Sequence, residues 1–159
     1  MSGKRTKVIF VCTANICRSP MAERLLRHAL DAEPAPLKNL EVLSAGLSAY
    51  RDDPASPNSV RALKSVGIPL DDHQSQPLTQ GLVDEALAIF CMTESHRTLI
   101  QSYFVNLPEH LYLMREWIED KNQREINDPY GQSLDAYEAC RDSMVEAIPA
   151  ILRFLRQNT

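Results

Sequence analysis

Residues 7–20 read KVIFVCTANICRSP, and the pattern changes twice within them. KVIFVC (7–12) is an unbroken apolar, β-branched run, the kind that fills a strand buried on both faces of a parallel sheet. TANICR (13–18) follows with small and polar residues, a second cysteine, one cation and no acid. Ser19 and Pro20 then predict a helix start, a capping hydroxyl followed by proline at the first helical position. Met21, Ala22, Leu25, Leu26, Ala29 and Leu30 give that helix an apolar stripe at helical spacing.

The alternation continues along the chain. EPAP (33–36) ends the helix, and LEVLSAG (40–46) predicts a second strand that leaves into small residues. SPNSVRALKSVGI (56–68) predicts a helix stopped by Gly67. EALAIFCM (85–92) predicts a third buried strand, ESHRTLIQSYF (94–104) the helix behind it, and HLYLM (110–114) a short fourth strand. After the polar loop REINDPYGQS (124–133), Leu134, Tyr137, Met144, Val145, Ile148, Ile151, Leu152 and Leu155 mark a long closing helix. Pro149 should kink or split that helix near Ile148. The predicted fold class is α/β: a single doubly wound domain over residues 1–159, a four-stranded parallel sheet with helices on both faces. Ligands of such folds bind beyond the carboxyl ends of the strands, where residues 13–18 lie.

With 159 residues, 44% of them hydrophobic, the chain is long enough to bury a core. Seventeen Lys and Arg against 21 Asp and Glu leave a net charge of −4. That balance lacks the basic face that nucleic acid or an anionic membrane requires. The start, MSGKRTKVIFVCTA, turns from basic to apolar as a signal peptide does. Its apolar run stops at Asn15, before Arg18, too short for a membrane span, so it reads as a strand of a cytoplasmic protein. Four cysteines, Cys12, Cys17, Cys91 and Cys140, make no secreted disulfide framework at this length. Without a CxxC or a second ligand pair, no metal is expected.

A cysteine and an arginine six positions apart are a weak pattern alone, and the chain has it twice. The second copy, Cys91 and Arg97 in CMTESHR, carries Glu94, which repels an anion, and its Thr93, Glu94 and Ser95 read as helix-start chemistry. The first copy suits an anion. Small Thr13 and Ala14 let the backbone curl, and Asn15 tolerates the left-handed conformation that turns successive N–H groups inward. The loop feeds a helix N-terminus, whose free amides and dipole favour negative charge. Arg18 adds a planar fork for two phosphate oxygens. A thiolate at Cys12 is stabilised in that field, and Ser19 can donate a hydrogen bond to it.

VCTANICRSPMAE (11–23) resembles the phosphate loop of the low-molecular-weight protein tyrosine phosphatases, C-x-G-N-x-C-R-S-P. The likeness extends through SAG (44–46), DDH (71–73), MT (92–93) and DPYG (128–131). It implies that Cys12 attacks phosphorus to form a phosphocysteine, that Arg18 and the amides of Thr13, Ala14, Asn15, Ile16 and Cys17 hold the phosphoryl oxygens, and that Asp128 is the general acid and base. Read without the resemblance, DPYG is a type I turn with Asp first and Gly fourth. The resemblance also implies that Asn15, Ser44 and His73 support the loop, and that Tyr50 and Tyr130 wall the substrate ring. Cys17 would form a reversible disulfide with Cys12 on oxidation; the alternative is that it only packs. Substrates would be phosphorylated proteins and the enzyme a monomer without cofactor.

Three positions depart from the family pattern: Ala14 replaces a glycine, Gln76 stands near a usual arginine, and Gly131 replaces a second tyrosine. HQSQPLT (73–79) and DPYGQSLDAYE (128–138) lean towards a bacterial branch that also contains protein-arginine phosphatases. Those carry a threonine before the second cysteine, where this chain has Ile16, and a branched apolar side chain suits an aromatic ring. Phosphotyrosine is therefore the expected substrate and phosphoarginine the alternative. Thioredoxin-coupled arsenate reduction would need a cysteine relay of which only Cys91 is present. A phosphocysteine carrier would need Cys12 but no general acid.

Overall fold

A computed structural model of the chain describes residues 5–159, so the basic start up to Lys4 lies outside the described residues. Strand β1 (Lys7–Cys12) is the centre of the sheet. Its neighbours are β2 (Glu41–Gly46) on one side and β3 (Ala86–Cys91) on the other, with β4 (His110–Leu113) beyond β3. All pairings are parallel, and the order is β2-β1-β3-β4. The chain thus moves outward from β1 first to one side and then to the other, which puts a topological switch at the carboxyl end of β1.

Alternate residues of the strands feed two apolar layers, as a period of two demands. Val8, Phe10, Val42, Ala88 and Phe90 pack with α1 (Arg18–Asp31) and α5 (Leu134–Gln157), and α2 (Pro57–Lys64) joins that layer through Ala62 and Leu63. Ile9, Val11, Ile89 and Cys91 pack on the other face with Val83 of α3 (Gln80–Glu85) and Ile100 of α4 (Glu94–Tyr103). No helix among the described residues is long and apolar enough to cross a membrane.

Two local expectations change, and one helix was not expected. The split at Pro149 does not occur: α5 runs unbroken from Leu134 to Gln157. Proline removes the bond to the Val145 carbonyl, but both residues are exposed, so water can take that carbonyl. Helix α3 has no sequence signal beyond Thr79, whose hydroxyl accepts from Leu82 N and caps it. Helix α1 begins at Arg18 with Cys17 at the cap position and no side-chain cap, so Ser19 lies inside the helix and caps nothing.

Candidate active site

Cys12 ends β1 as a buried residue, and the chain then turns sharply over it. Asn15 has φ 59°, the left-handed conformation expected of it, and its N–H points back at Cys12 Sγ, 3.3 Å away. Ser19 Oγ lies 2.9 Å from the same sulfur. Asn15 Nδ2 donates to Ser19 Oγ at 2.8 Å, which leaves the serine proton for the sulfur. The hydroxyl that was expected to cap α1 is thus turned to the thiol. The N-terminus of α1 has no acid in its first turn and opens on the same side. Ala14 does not have a positive φ, so its methyl is accepted without strain.

Asn15 is fully buried and satisfied throughout. Its Oδ1 accepts from Gln76 N at 3.0 Å, and its carbonyl accepts from His73 Nε2 at 2.7 Å. Burial lowers the His73 pKa below its ordinary value, so the ring stays neutral with its proton on Nε2. Ser44 makes no hydrogen bond to the loop among the described residues: its hydroxyl donates to Glu23 Oε1 at 2.7 Å, and its carbonyl accepts from the Gln76 side chain at 3.1 Å. The end of β2 supports the loop instead. Leu47 N donates to Cys12 O and Ser48 N to Thr13 O, at 3.0 and 2.9 Å. That approach requires Gly46, where a Cβ would stand 2.5 Å from Thr13 O and 3.0 Å from Asn15 N. The sequence signal for Gly46 was present in SAG, but spacing alone does not say what it approaches.

Arg18 is buried, with Nη1 donating to Ile126 O at 2.9 Å and Nη2 3.7 Å from Asp128 Oδ2. The DPYG turn closes one residue later than expected. Gln132 N donates to Pro129 O, and Gly131 takes φ 78° at the third position, where a type II turn demands glycine. Asp128 precedes the turn, and its Oδ1 accepts from Tyr130 N at 3.1 Å.

His96 was missed. It belongs to CMTESHR, where Arg97 is engaged by Glu94 and Glu116 and Cys91 is sealed in the core, its pKa pushed up to about 12 by burial. His96 nonetheless reaches the loop: Nε2 lies 2.9 Å from Thr13 Oγ1 and Nδ1 3.0 Å from Thr93 Oγ1. Burial, reinforced by the Arg18 charge, lowers its pKa to about 4. Cys17 is buried, its Sγ 2.9 Å from Ser56 Oγ and 3.5 Å from Tyr137 OH, and burial raises its pKa.

These pieces enclose a cleft of about 420 Å³ lined by Cys12, Thr13, Ala14, Ile16, Cys17, Arg18, Ser48, Tyr50, Asp53, Asp128 and Tyr130. Cys12 is 3% exposed, whereas Tyr50 and Tyr130 stand 80% and 67% exposed. Asn15, Ser19 and His73 lie buried beneath the loop. Ser48 and Asp53 were not foreseen. Among the described residues, no group of three His, Cys, Asp or Glu side chains could hold a metal ion.

Residues 7–159 match the family described as low molecular weight phosphotyrosine protein phosphatase. This chain is a member of that family. The protein-arginine-phosphatase of Bacillus subtilis is 34% identical over 151 residues, 95% of this chain and 97% of that protein. The tyrosine phosphatase AmsI of Erwinia amylovora superposes with a TM-score of 0.82 at 32% identity, over 93% of this chain and 91% of that one. The arginine phosphatase YwlE, solved with a phosphorylated active-site serine, superposes with a TM-score of 0.80 at 33% identity, over 94% of this chain and 95% of that one. As a low-molecular-weight phosphatase this chain is a hydrolase, and its fold is the four-stranded parallel sheet of its relatives.

Proposed function

We propose that the chain is a cytoplasmic, monomeric protein tyrosine phosphatase that works through a phosphocysteine on Cys12. One observation carries the reading. The Cys12 sulfur lies at the base of an anion-binding loop with hydrogen-bond donors from Asn15 and Ser19, and Arg18 and Asp128 flank the same cleft.

In the first step the sulfur attacks phosphorus as the bond to the ester oxygen breaks, and Asp128 gives its proton to the leaving phenolate. In the second step Asp128 takes a proton from water, the water oxygen attacks phosphorus, and the P–S bond breaks to release phosphate. Ser19 donates to the departing thiolate. Arg18 and the loop amides hold the charge that accumulates on the equatorial oxygens in both steps. The phosphorylated serine of the YwlE structure supports a phosphoenzyme at this position.

Ile16, half-buried and lining the cleft, favours an aromatic ring, as do the two rim tyrosines. Likeness to the Bacillus subtilis enzyme keeps phosphoarginine as the second reading. Cys91 faces the opposite side of the sheet from Cys12, which disfavours an arsenate-reducing relay between them.

Phosphate release from matched phosphotyrosine and phosphoarginine peptides tests the proposal. Faster tyrosine turnover that vanishes in Cys12→Ser supports it; preference for phosphoarginine overturns the substrate assignment but not the mechanism. Asp128→Ala should slow turnover about 10²- to 10⁴-fold. An unaffected rate of phosphoryl transfer to a partner in that variant would point to a carrier instead.

A further inference from the structure

Two neutral histidines hold the loop, and they hold different things. His73 donates to the backbone carbonyl of Asn15 and so fixes the turn. His96 touches no loop backbone; its only loop partner among the described residues is the hydroxyl of Thr13, the residue after the nucleophile. Thr13 is exposed and lines the cleft, whereas His96 is 5% exposed behind it.

One tautomer of His96 uses every protein partner in this chain of groups. Thr93 caps α4, its oxygen accepting from His96 N at 3.3 Å. The partner within the protein for the Thr93 proton is His96 Nδ1, at 3.0 Å. A donor at Thr93 makes Nδ1 an acceptor, which sets the neutral ring's proton on Nε2. Nε2–H then donates to Thr13 Oγ1, so the Thr13 proton cannot point at the ring and is free to face the cleft. The reverse tautomer would occupy the Thr13 proton on Nε2 and leave that of Thr93 to water alone at its half-buried site. Burial keeps the imidazole uncharged; the charged groups nearest it are Arg18, Asp128 and Glu125.

We propose that His96 is a positioning residue of the reaction: held in one tautomer by Thr93, it donates to Thr13 Oγ1 and thereby aims the Thr13 hydroxyl proton at the phosphoryl oxygens. This rests on the reading of the cleft as a phosphotransfer site. Thr13 then adds a side-chain donor to the amides and Arg18 at the point where charge develops. Loss of one such donor costs about 10²- to 10³-fold in a closed site; because Thr13 is exposed, roughly ten- to thirtyfold in kcat is expected, with KM changed less than about threefold.

The test is a double-mutant cycle on para-nitrophenyl phosphate and on a phosphoarginine peptide, with Thr13→Ala, His96→Ala and the pair, and Cys12→Ser as control. His96→Ala and Thr13→Ala should each show the loss, and the pair should lose no more than either alone. His96→Gln, whose carboxamide N–H can replace Nε2–H, should recover most of kcat, and Thr13→Ser should keep it. A structural role for His96 would lower the melting temperature and slow the enzyme equally in the Thr13→Ala background. Such additivity, or a folded His96→Gln no faster than His96→Ala, overturns the proposal. Inorganic phosphate titrated into each variant by nuclear magnetic resonance reads the same coupling as affinity. If the wild type turns over neither substrate, the functional reading fails, and coupled or uncoupled phosphate affinities still decide the role of His96.

Discussion

Replacing Gly46 by alanine drives a methyl carbon to 2.5 Å from the Thr13 carbonyl oxygen, 2.8 Å from Ala49 Cβ and 3.0 Å from Asn15 N. Ordinary carbon–oxygen contact lies near 3.3 Å or beyond, so the loop must retreat by about 0.8 Å. Two of the three obstacles are backbone, and Thr13 O is tethered to Ser48 N at 2.9 Å, so no flexible side chain can absorb the shift. Overpacking of this kind costs about 1–3 kcal/mol, and the backbone obstacles argue for the upper end. In a domain of this size 3 kcal/mol lowers the melting temperature by roughly 6–12 °C. A loop displaced by nearly 1 Å under the nucleophile should lower kcat/KM by up to about 10²-fold. Gly81→Ala is the internal control: it lies in α3, its nearest neighbour would be Thr79 Oγ1 at 3.8 Å, and it should gain about 0.5–1 kcal/mol. Thermal denaturation and steady-state kinetics on both variants check the pair. A Gly46→Ala enzyme that melts within 2 °C of wild type and keeps kcat/KM within threefold would refute the close-approach argument.

Ser19→Ala removes a hydroxyl bonded to the sulfur, worth about 1.5–3 kcal/mol for a charged partner, so kcat should fall roughly 10- to 10²-fold. Stopped-flow measurement should find the loss in dephosphorylation, where the thiolate leaves. Burial depresses the His96 pKa from 6.5 to about 4, so the folded state prefers the neutral ring. Its contribution is complete above pH 6.5 and is lost as pH falls towards 4, about 3 kcal/mol in all. Urea denaturation at pH 7 and pH 4 should show that loss in wild type and a smaller one in His96→Gln. Cys17 stays a thiol at neutral pH because burial raises its pKa. A thiol held protonated attacks an oxidised Cys12 slowly, so dithiothreitol should restore peroxide-inactivated wild type and Cys17→Ala to the same extent, read by activity recovery. Fuller recovery in wild type would show that Cys17 resolves the oxidised nucleophile through a disulfide.

What could be read from the chain alone was local. The buried strand, the acid-free loop, the left-handed Asn15 and the Arg18 fork lie within residues 7–18, so their chemistry is set by neighbours in sequence. Where a local rule and a tertiary partner competed for one group, the partner decided. The Ser19 hydroxyl went to Cys12 and Asn15 rather than to its own helix end, and the Asp128 turn moved on by one residue to Gly131. The Asn15 support by His73 came through family likeness, since nothing local marks it. His96, Gly46 and the Ile126 carbonyl under Arg18 needed the fold. They stand far from the loop in sequence, and only the order β2-β1-β3-β4 carries the ends of β2 and β3 to either side of Cys12. A hydrogen bond acts over about 3 Å of space whatever the chain between its partners, so its ends are written in the sequence but their meeting is not.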